Sequence, residues 1–387
     1  MDFALTPEQR SLALDVATFA RTELSAHAQQ NDRDAVFDRE LWRRAAKFGV
    51  LGWPVPPEYN GAGHDPLTCV VAFEALGYGC VDNGLVFAIN NHVWACVSYL
   101  LMHGNQAQRA RWLPALTDGS VIGAHALTEF DAGSDVLALT TTAARDDAGY
   151  VLHGRKTFIS NAPCADLFVL FARTGGPGTA PQQALSAFIV PATTPGVSVS
   201  RVWDKAGLRG TPMGEVTLDG ARVDHSALLG AEGGGYRMFL STAEWERGFM
   251  FASPVGVLRR LLEQSVAYAN ERRQFGRRIG EFDAISHKIA DMRLRLELGR
   301  LALYQFGWLR SRDRIALLES SMLKLYVSES LTASALDAVQ LHGARGYLTD
   351  FGIERELRDA FGTTIYGGTS EIHRSMIARL SGVLDGR

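Results

Sequence analysis

Leu167-Phe168-Val169-Leu170-Phe171-Ala172 and Leu185-Ser186-Ala187-Phe188-Ile189-Val190 set the layout of this chain. These runs lie in a stretch rich in β-branched residues and turn formers and read as short strands, as do Tyr150–His153, Val197–Val202 and Glu215–Leu218. Together they predict a β domain over residues 121–228. Thr174-Gly175-Gly176-Pro177-Gly178-Thr179-Ala180-Pro181 lacks any period and reads as an exposed loop between two strands. Working outward, the period on both sides becomes helical. Upstream, Thr6-Pro7 followed by Glu8 is a helix start, and Leu12, Val16, Phe19 and Ala20 share a face. Downstream of Gly233-Gly234-Gly235, Leu258, Leu261, Leu262, Ser265, Val266 and Ala269 form one seam, and Met292, Leu296, Gly299, Leu303 and Phe306 another. Pro254 is expected to kink the first of these helices or to mark its start after Ser253. The expected fold is α+β, with an N-terminal helical domain (1–120), a middle β domain (121–228) and a C-terminal helical bundle (229–387).

Composition supports a globular reading. The chain has 387 residues, 47% hydrophobic and 21% charged, which excludes disorder and disulfide scaffolds. With 39 Lys+Arg against 42 Asp+Glu there is no basic stripe for nucleic acid and no polybasic anchor for a membrane. Val86–Met102 is apolar but broken by Asn90, Asn91 and His92, so a buried helix is expected there. The start, MDFALTPEQR, has neither a signal-peptide nor a transit-peptide look, and the expected setting is cytoplasmic. Cys69, Cys80, Cys96 and Cys164 form no C-x-x-C pair, and the histidines show no metal-ligand spacing, so reduced thiols and no metal are expected. The 39 glycines against 13 prolines mark places where backbone turns tightly or approaches something closely.

There is neither a dinucleotide fingerprint nor a P-loop. Instead, five strings recur in fixed order: Leu127-Thr128-Glu129-Phe130-Asp131-Ala132-Gly133-Ser134-Asp135, Gly154–Ala162, Asp204–Gly210, Glu271-Arg272-Arg273-Gln274-Phe275-Gly276 and Ile365-Tyr366-Gly367-Gly368-Thr369-Ser370. In these, and over essentially its whole length, the chain resembles the acyl-CoA dehydrogenase family of flavoproteins. The resemblance implies a β-barrel-like middle domain, a C-terminal four-helix bundle and an FAD between the two, part of it reaching a neighbouring subunit. Leu127, Thr128, Gly133 and Ser134 are then expected around the flavin edge and ribityl chain, with Phe158 on the ring face and the Ser160 hydroxyl toward its N5. Arg272, Gln274, Phe275, Gln340 and Gly343 are expected near the pyrophosphate and adenosine, with Thr369 and Glu371 also on the cofactor. Alone, Phe158 would be core packing and Arg272 a solvated face. Asp283, where relatives often carry glutamine, either weakens FAD binding or faces water.

The implied chemistry needs a carboxylate beside the substrate Cα, to take a proton while hydride leaves Cβ for flavin N5. Many family members carry that glutamate directly before Gly-Thr in the last string, where this chain has Gly367. In isovaleryl-type and long-chain members the base lies on an earlier helix, and the corresponding position here is Glu246. Glu246 is therefore the expected base, against an ion pair with Arg247 or a solvated helix face. Glu244, a weaker candidate and a possible substrate contact, should point to another side of the helix. The Gly367 backbone N–H remains able to polarise the substrate carbonyl, and Ser134, Arg247 and Arg379 are expected on the substrate side of the cavity.

Trp245-Glu246 and the stretch Phe282 to Arg300 look most like dehydrogenases that oxidise prolyl or other aminoacyl groups on a carrier protein in secondary metabolism. The resemblance thus implies a desaturase of acyl-CoA or of an acyl or aminoacyl carrier protein, with an electron-transferring flavoprotein as acceptor and a homotetramer as assembly. The alternatives are a catalytically silent flavin-holding homologue and an oxidase that passes electrons to oxygen.

Overall fold

The structure is a computed structural model that describes residues 4–176 and 178–383. Met1–Phe3, Pro177 of the expected loop and the last residues of the C-terminal domain lie outside the described residues. Helices come first, then a sheet, then helices. The first helix, Pro7–Glu23, starts where expected: the Thr6 hydroxyl accepts from Gln9 N–H and the Gln9 side chain returns the bond, a reciprocal cap.

The middle strands are β1 (Gly123–Ala126), β2 (Thr142–Asp146), β3 (Gly149–Ser160), β4 (Leu167–Arg173), β5 (Leu185–Pro191), β6 (Val197–Val202), β7 (Met213–Asp224) and β8 (Leu228–Leu229). They form one sheet in the order β6-β7-β3-β2-β4-β5-β8, with β1 added parallel to β4. β4 reads as an unbroken apolar run because it is covered on both faces. Leu167, Val169 and Phe171 join a core with Tyr99, Leu113 and Leu116 from the N-terminal helices, while Phe168, Leu170 and Ala172 join a second core with Tyr150, Phe188 and Val216. β1 and β2 were not expected. Gly-Ala-His-Ala and Thr-Ala-Ala-Arg-Asp carry little strand propensity, and neighbours impose their conformation. β3 runs to Ser160, well past His153, across bulges at Leu152/His153 and Lys156/Ile159.

The apolar run near Val86 is part of a helical stretch, Asn83–His103, long and apolar enough to cross a membrane, but 83% of its apolar window is buried inside the molecule. In the C-terminal region Pro254 sits in the first turn of Ala252–Glu271, where a missing N–H costs nothing, and the chain breaks between this helix and Gly235–Phe249. The helix Pro66–Gly79 crosses Ala252–Glu271 closely because Gly77 and Gly256 present no side chain. A Cβ on Gly77 would stand 2.1 Å from the Ser253 carbonyl oxygen, and one on Gly256 would stand 2.0 Å from that of Glu74. Arg260 then bridges the two domains, donating to the Cys80 carbonyl at 2.7 Å and pairing with Glu356 at 3.0 Å.

Candidate active site

A cavity of about 590 Å³ lies where three pieces of chain meet. The sheet side supplies His125 and Leu127 with Thr128, and then Gly133–Leu137. Tyr236, Phe239, Leu240, Ala243, Glu246 and Arg247 come from the helix Gly235–Phe249, at spacings that put them on one face. The third piece is the turn Gly367-Gly368 with Ile372, Ser375, Met376 and Arg379 of the helix Ser370–Leu380. The cavity therefore brings together Leu127, Thr128, Gly133, Ser134, Glu246, Arg247, Gly367 and Arg379 of the residues expected from sequence.

Glu246 points into this space, and among the described residues no side chain hydrogen-bonds or ion-pairs with its carboxylate. Burial pushes its carboxyl up to about 7, with the Arg247 charge opposing only in part. The pair with Arg247 weighed above does not form. Arg247 instead donates its Nε–H to the Gly367 carbonyl at 3.1 Å. His373 Nε2 lies 3.0 Å from the same oxygen. A carbonyl cannot donate, so Nε2 carries the hydrogen, and burial keeps the ring neutral with its proton affinity lowered to about 4. Two donors thus clamp a turn whose glycines take φ of +66° and +101°, a conformation that suits glycine. A Cβ on Gly367 would meet nothing within 4 Å.

Glu244 is a correction. It does not line the cavity; it pairs with Arg310 at 3.1 Å and accepts from the Ala316 N–H at 3.0 Å, both within the bundle. Two residues along a helix is a turn of roughly 200°, so one glutamate faces the cavity and the other the helix packing.

On the sheet side Glu129 fixes the wall. It pairs with buried Lys156 at 2.8 Å and accepts from the N–H groups of Thr140 at 2.7 Å and Thr141 at 2.9 Å, while Lys156 also donates to the Leu127 carbonyl. The Thr157 N–H bonds the Thr128 carbonyl at 2.9 Å and ties the β3 bulge to the cavity. At that bulge Phe158 takes φ +58°, is 44% exposed as a residue and stands with its ring 5.2 Å from the Trp203 ring. Thr157 Oγ1 and Trp203 Nε1 are buried there without partners. An open aromatic face held in an uncommon backbone conformation, with orphaned polar atoms beside it, fits a flat heteroaromatic ring with polar edges such as a flavin. Ser160 ends β3, half-buried, its carbonyl accepting from Asn91 at 3.3 Å.

The remaining expected cofactor residues do not reach the cavity. Arg272, Gln274 and Phe275 stand exposed on and beside the small hairpin of Arg273–Gln274 and Arg277–Arg278, with Gln340 and Gly343 exposed at the end of the helix Leu317–His342. Thr369 caps the helix Ser370–Leu380, and Glu371 is exposed in its first turn. Asp283 faces water at the first position of the helix Asp283–Arg310, where a carboxylate favours the helix dipole. All four cysteines are buried and unpaired, and among the described residues no group of metal-ligating side chains is assembled.

Tyr236, Phe239, Leu240, Ala243, Leu137, Ile372, Ser375, Met376 and His125 were missed by the sequence reading. The helical ones carried a signal: stepping back from Glu246, and forward from Ile372 to Arg379, at three- and four-residue spacing finds them. His125 carried none.

Family profiles match this chain from end to end: the acyl-CoA dehydrogenase N-terminal domain over residues 6–120, the middle domain over 124–221 and the C-terminal domain over 233–381. The L-prolyl-[peptidyl-carrier protein] dehydrogenase of Pseudomonas fluorescens is 40% identical over 98% of this chain and 99% of its own length. Among solved structures, the prolyl acyl carrier protein oxidase AnaB superposes with a TM-score of 0.95 at 42% identity, covering 98% of this chain and 100% of that one. PigA with FAD and proline superposes with a TM-score of 0.96 at 36% identity, covering 99% and 100%.

Proposed function

The chain belongs to the acyl-CoA dehydrogenase family, and on that footing we propose that it is an FAD-dependent dehydrogenase that introduces a Cα–Cβ double bond into an acyl thioester, with an aminoacyl group on a carrier protein, prolyl in particular, as substrate. The observation that carries this reading is Glu246: an unpaired carboxylate, raised to about 7, on the wall of a cavity it shares with Gly367. A base needs a carboxylate that is not tied up in a salt bridge and lies near the working pH, and Glu246 meets both conditions. It takes the Cα proton. The Gly367 N–H, on a turn held by Arg247 and His373, donates to the thioester oxygen as enolate charge develops there. Thr128, Ser134 and Phe158 would hold FAD on the sheet side; when bound, it supplies the acceptor for the hydride that leaves Cβ.

Arg272, Gln274, Phe275, Gln340 and Gly343 are exposed on this chain, which supports their serving the cofactor of a neighbouring subunit in a homotetramer. The four unpaired thiols support a reducing, cytoplasmic setting. An electron-transferring flavoprotein is the acceptor in this reading. The relative called an oxidase favours a second one, in which oxygen takes the electrons. The test is anaerobic titration of the flavoprotein with acyl-CoAs and with a prolyl-loaded carrier protein while flavin absorbance is followed. Bleaching by the prolyl thioester supports the assignment, and bleaching by no thioester leaves a silent flavin-holding homologue. Steady peroxide release in air identifies the oxidase.

A further inference from the structure

Arg247 makes two contacts at the cavity wall. Its Nε–H donates to the Gly367 carbonyl at 3.1 Å, and its Nη1 stands 3.6 Å from the thioether sulfur of Met376. Met376 belongs to the helix Ser370–Leu380, lines the cavity and is half-buried there. Ser321 Oγ stands 3.0 Å from the same sulfur, on the helix Leu317–His342. It also lies 2.8 Å from the Leu317 carbonyl, a stronger acceptor than a thioether, so its one hydrogen goes there and the sulfur keeps its electron pairs. Met238, Met250 and Met292 are buried, Met322 is exposed outside the cavity, and among the described residues Met376 is the methionine on this cavity's wall.

Hydrogen peroxide oxidises a thioether: the O–O bond breaks, one oxygen bonds to sulfur as the sulfoxide, and the other leaves as water with both hydrogens. A sulfoxide oxygen needs about 2.7 Å to a donor nitrogen beyond its own bond to sulfur. The 3.6 Å between Sδ and Nη1 does not hold both, so an oxygen on that side moves the guanidinium. The guanidinium is planar and rigid, so Nε leaves the Gly367 carbonyl with it, and the turn is left to His373. We propose that Met376 is a site of reversible oxidation by hydrogen peroxide, and that its sulfoxide slows the enzyme by drawing Arg247 off the Gly367 turn. The slowing rests on the reading above, in which the Gly367 N–H holds the thioester oxygen; the modification does not. Where oxygen takes the electrons, the enzyme makes this oxidant itself.

In the experiment the FAD-loaded enzyme is treated with hydrogen peroxide, and peptide mass spectrometry reads the oxidised fraction at each methionine. Anaerobic bleaching by the prolyl thioester reads the rate, and hydrogen exchange of residues 365–370 reads the turn with no substrate present. Wild type is expected to slow about 10- to 100-fold in step with oxidation at Met376, keeping its flavin, and to exchange faster at the turn. Methionine sulfoxide reductase is expected to reverse both changes. Met376→Leu should respond to peroxide in neither measurement, whatever its starting rate. Met376→Gln, which places a polar acceptor there permanently, should start slow and not respond. Met322→Leu should respond as wild type does, and the site-by-site correlation in these two proteins decides the matter even where Met376→Leu does not fold. Oxidation of Met322 without Met376, a loss that persists in Met376→Leu, or full rate and unchanged exchange with Met376 oxidised overturns the inference. A wild type that no thioester bleaches before treatment sinks the dehydrogenase assignment, and hydrogen exchange still tests the Met376 contact.

Discussion

Replacing Glu246 by glutamine keeps the shape of the side chain and removes its charge, so it separates chemistry from packing. Burial raises the carboxyl from an ordinary value of 4.5 to about 7, the neighbouring Arg247 charge opposing it only in part. A shift of that size, discounted because the group opens onto the cavity, is worth on the order of 2 kcal/mol against folding when the side chain is charged. The sign follows from proton counting: between pH 4.5 and 7 the folded state binds more protons than the unfolded one, so stability falls as pH rises through that window. Glu246→Gln should therefore melt a few degrees higher than wild type at pH 8, and the gap should close toward pH 4.5. Its flavin should stay bound and yellow. Anaerobic bleaching by substrate should slow by about 10²- to 10⁴-fold, the usual contribution of a positioned base. The wild-type bleaching rate should climb with pH through about 7, and that limb should vanish in the variant. Normal bleaching by Glu246→Gln, or an unchanged limb, would remove Glu246 from the mechanism.

Glu244→Ala should cost about 1–3 kcal/mol by removing the carboxylate that pairs with half-buried Arg310 and accepts from the buried Ala316 N–H, yet leave the bleaching rate of the folded enzyme unchanged, as stopped-flow absorbance would read. Glu129→Gln should also cost about 3–5 kcal/mol at pH 7, measured by thermal unfolding. Although burial pushes the Glu129 carboxyl up, Lys156 and the threonine hydrogen bonds hold it down to about 2, so this stabilisation is present above pH 4.5 and is lost as pH falls toward 2. Gly367→Ala meets no atom within 4 Å but takes a left-handed conformation, so it should fold with a loss of about 1 kcal/mol and show its main effect as weaker substrate binding in the titration. Arg247→Met should leave the Gly367 carbonyl with His373 alone and lower the bleaching rate more than FAD content.

Sequence alone determined the order of helices, sheet and helices, because hydrophobic period is local: Thr6 caps its own helix, and the β4 and β5 runs declare themselves within six residues each. The resemblance to the family singled out Glu246 as the expected base, and helical geometry, which needs only the spacing between the two, placed Glu244 on another side of the helix. It did not reveal β1 or β2, whose residues become strands only when β3 and β4 stand beside them. Nor could it show that Glu246 is unpaired, that Arg247 and His373 share the Gly367 carbonyl across more than a hundred residues of chain, or that His125 stands clamped between Tyr99 and Phe171. Those properties come from desolvation and from contacts distant in sequence, and only the packed chain decides which polar groups lose their water and which of them find a partner.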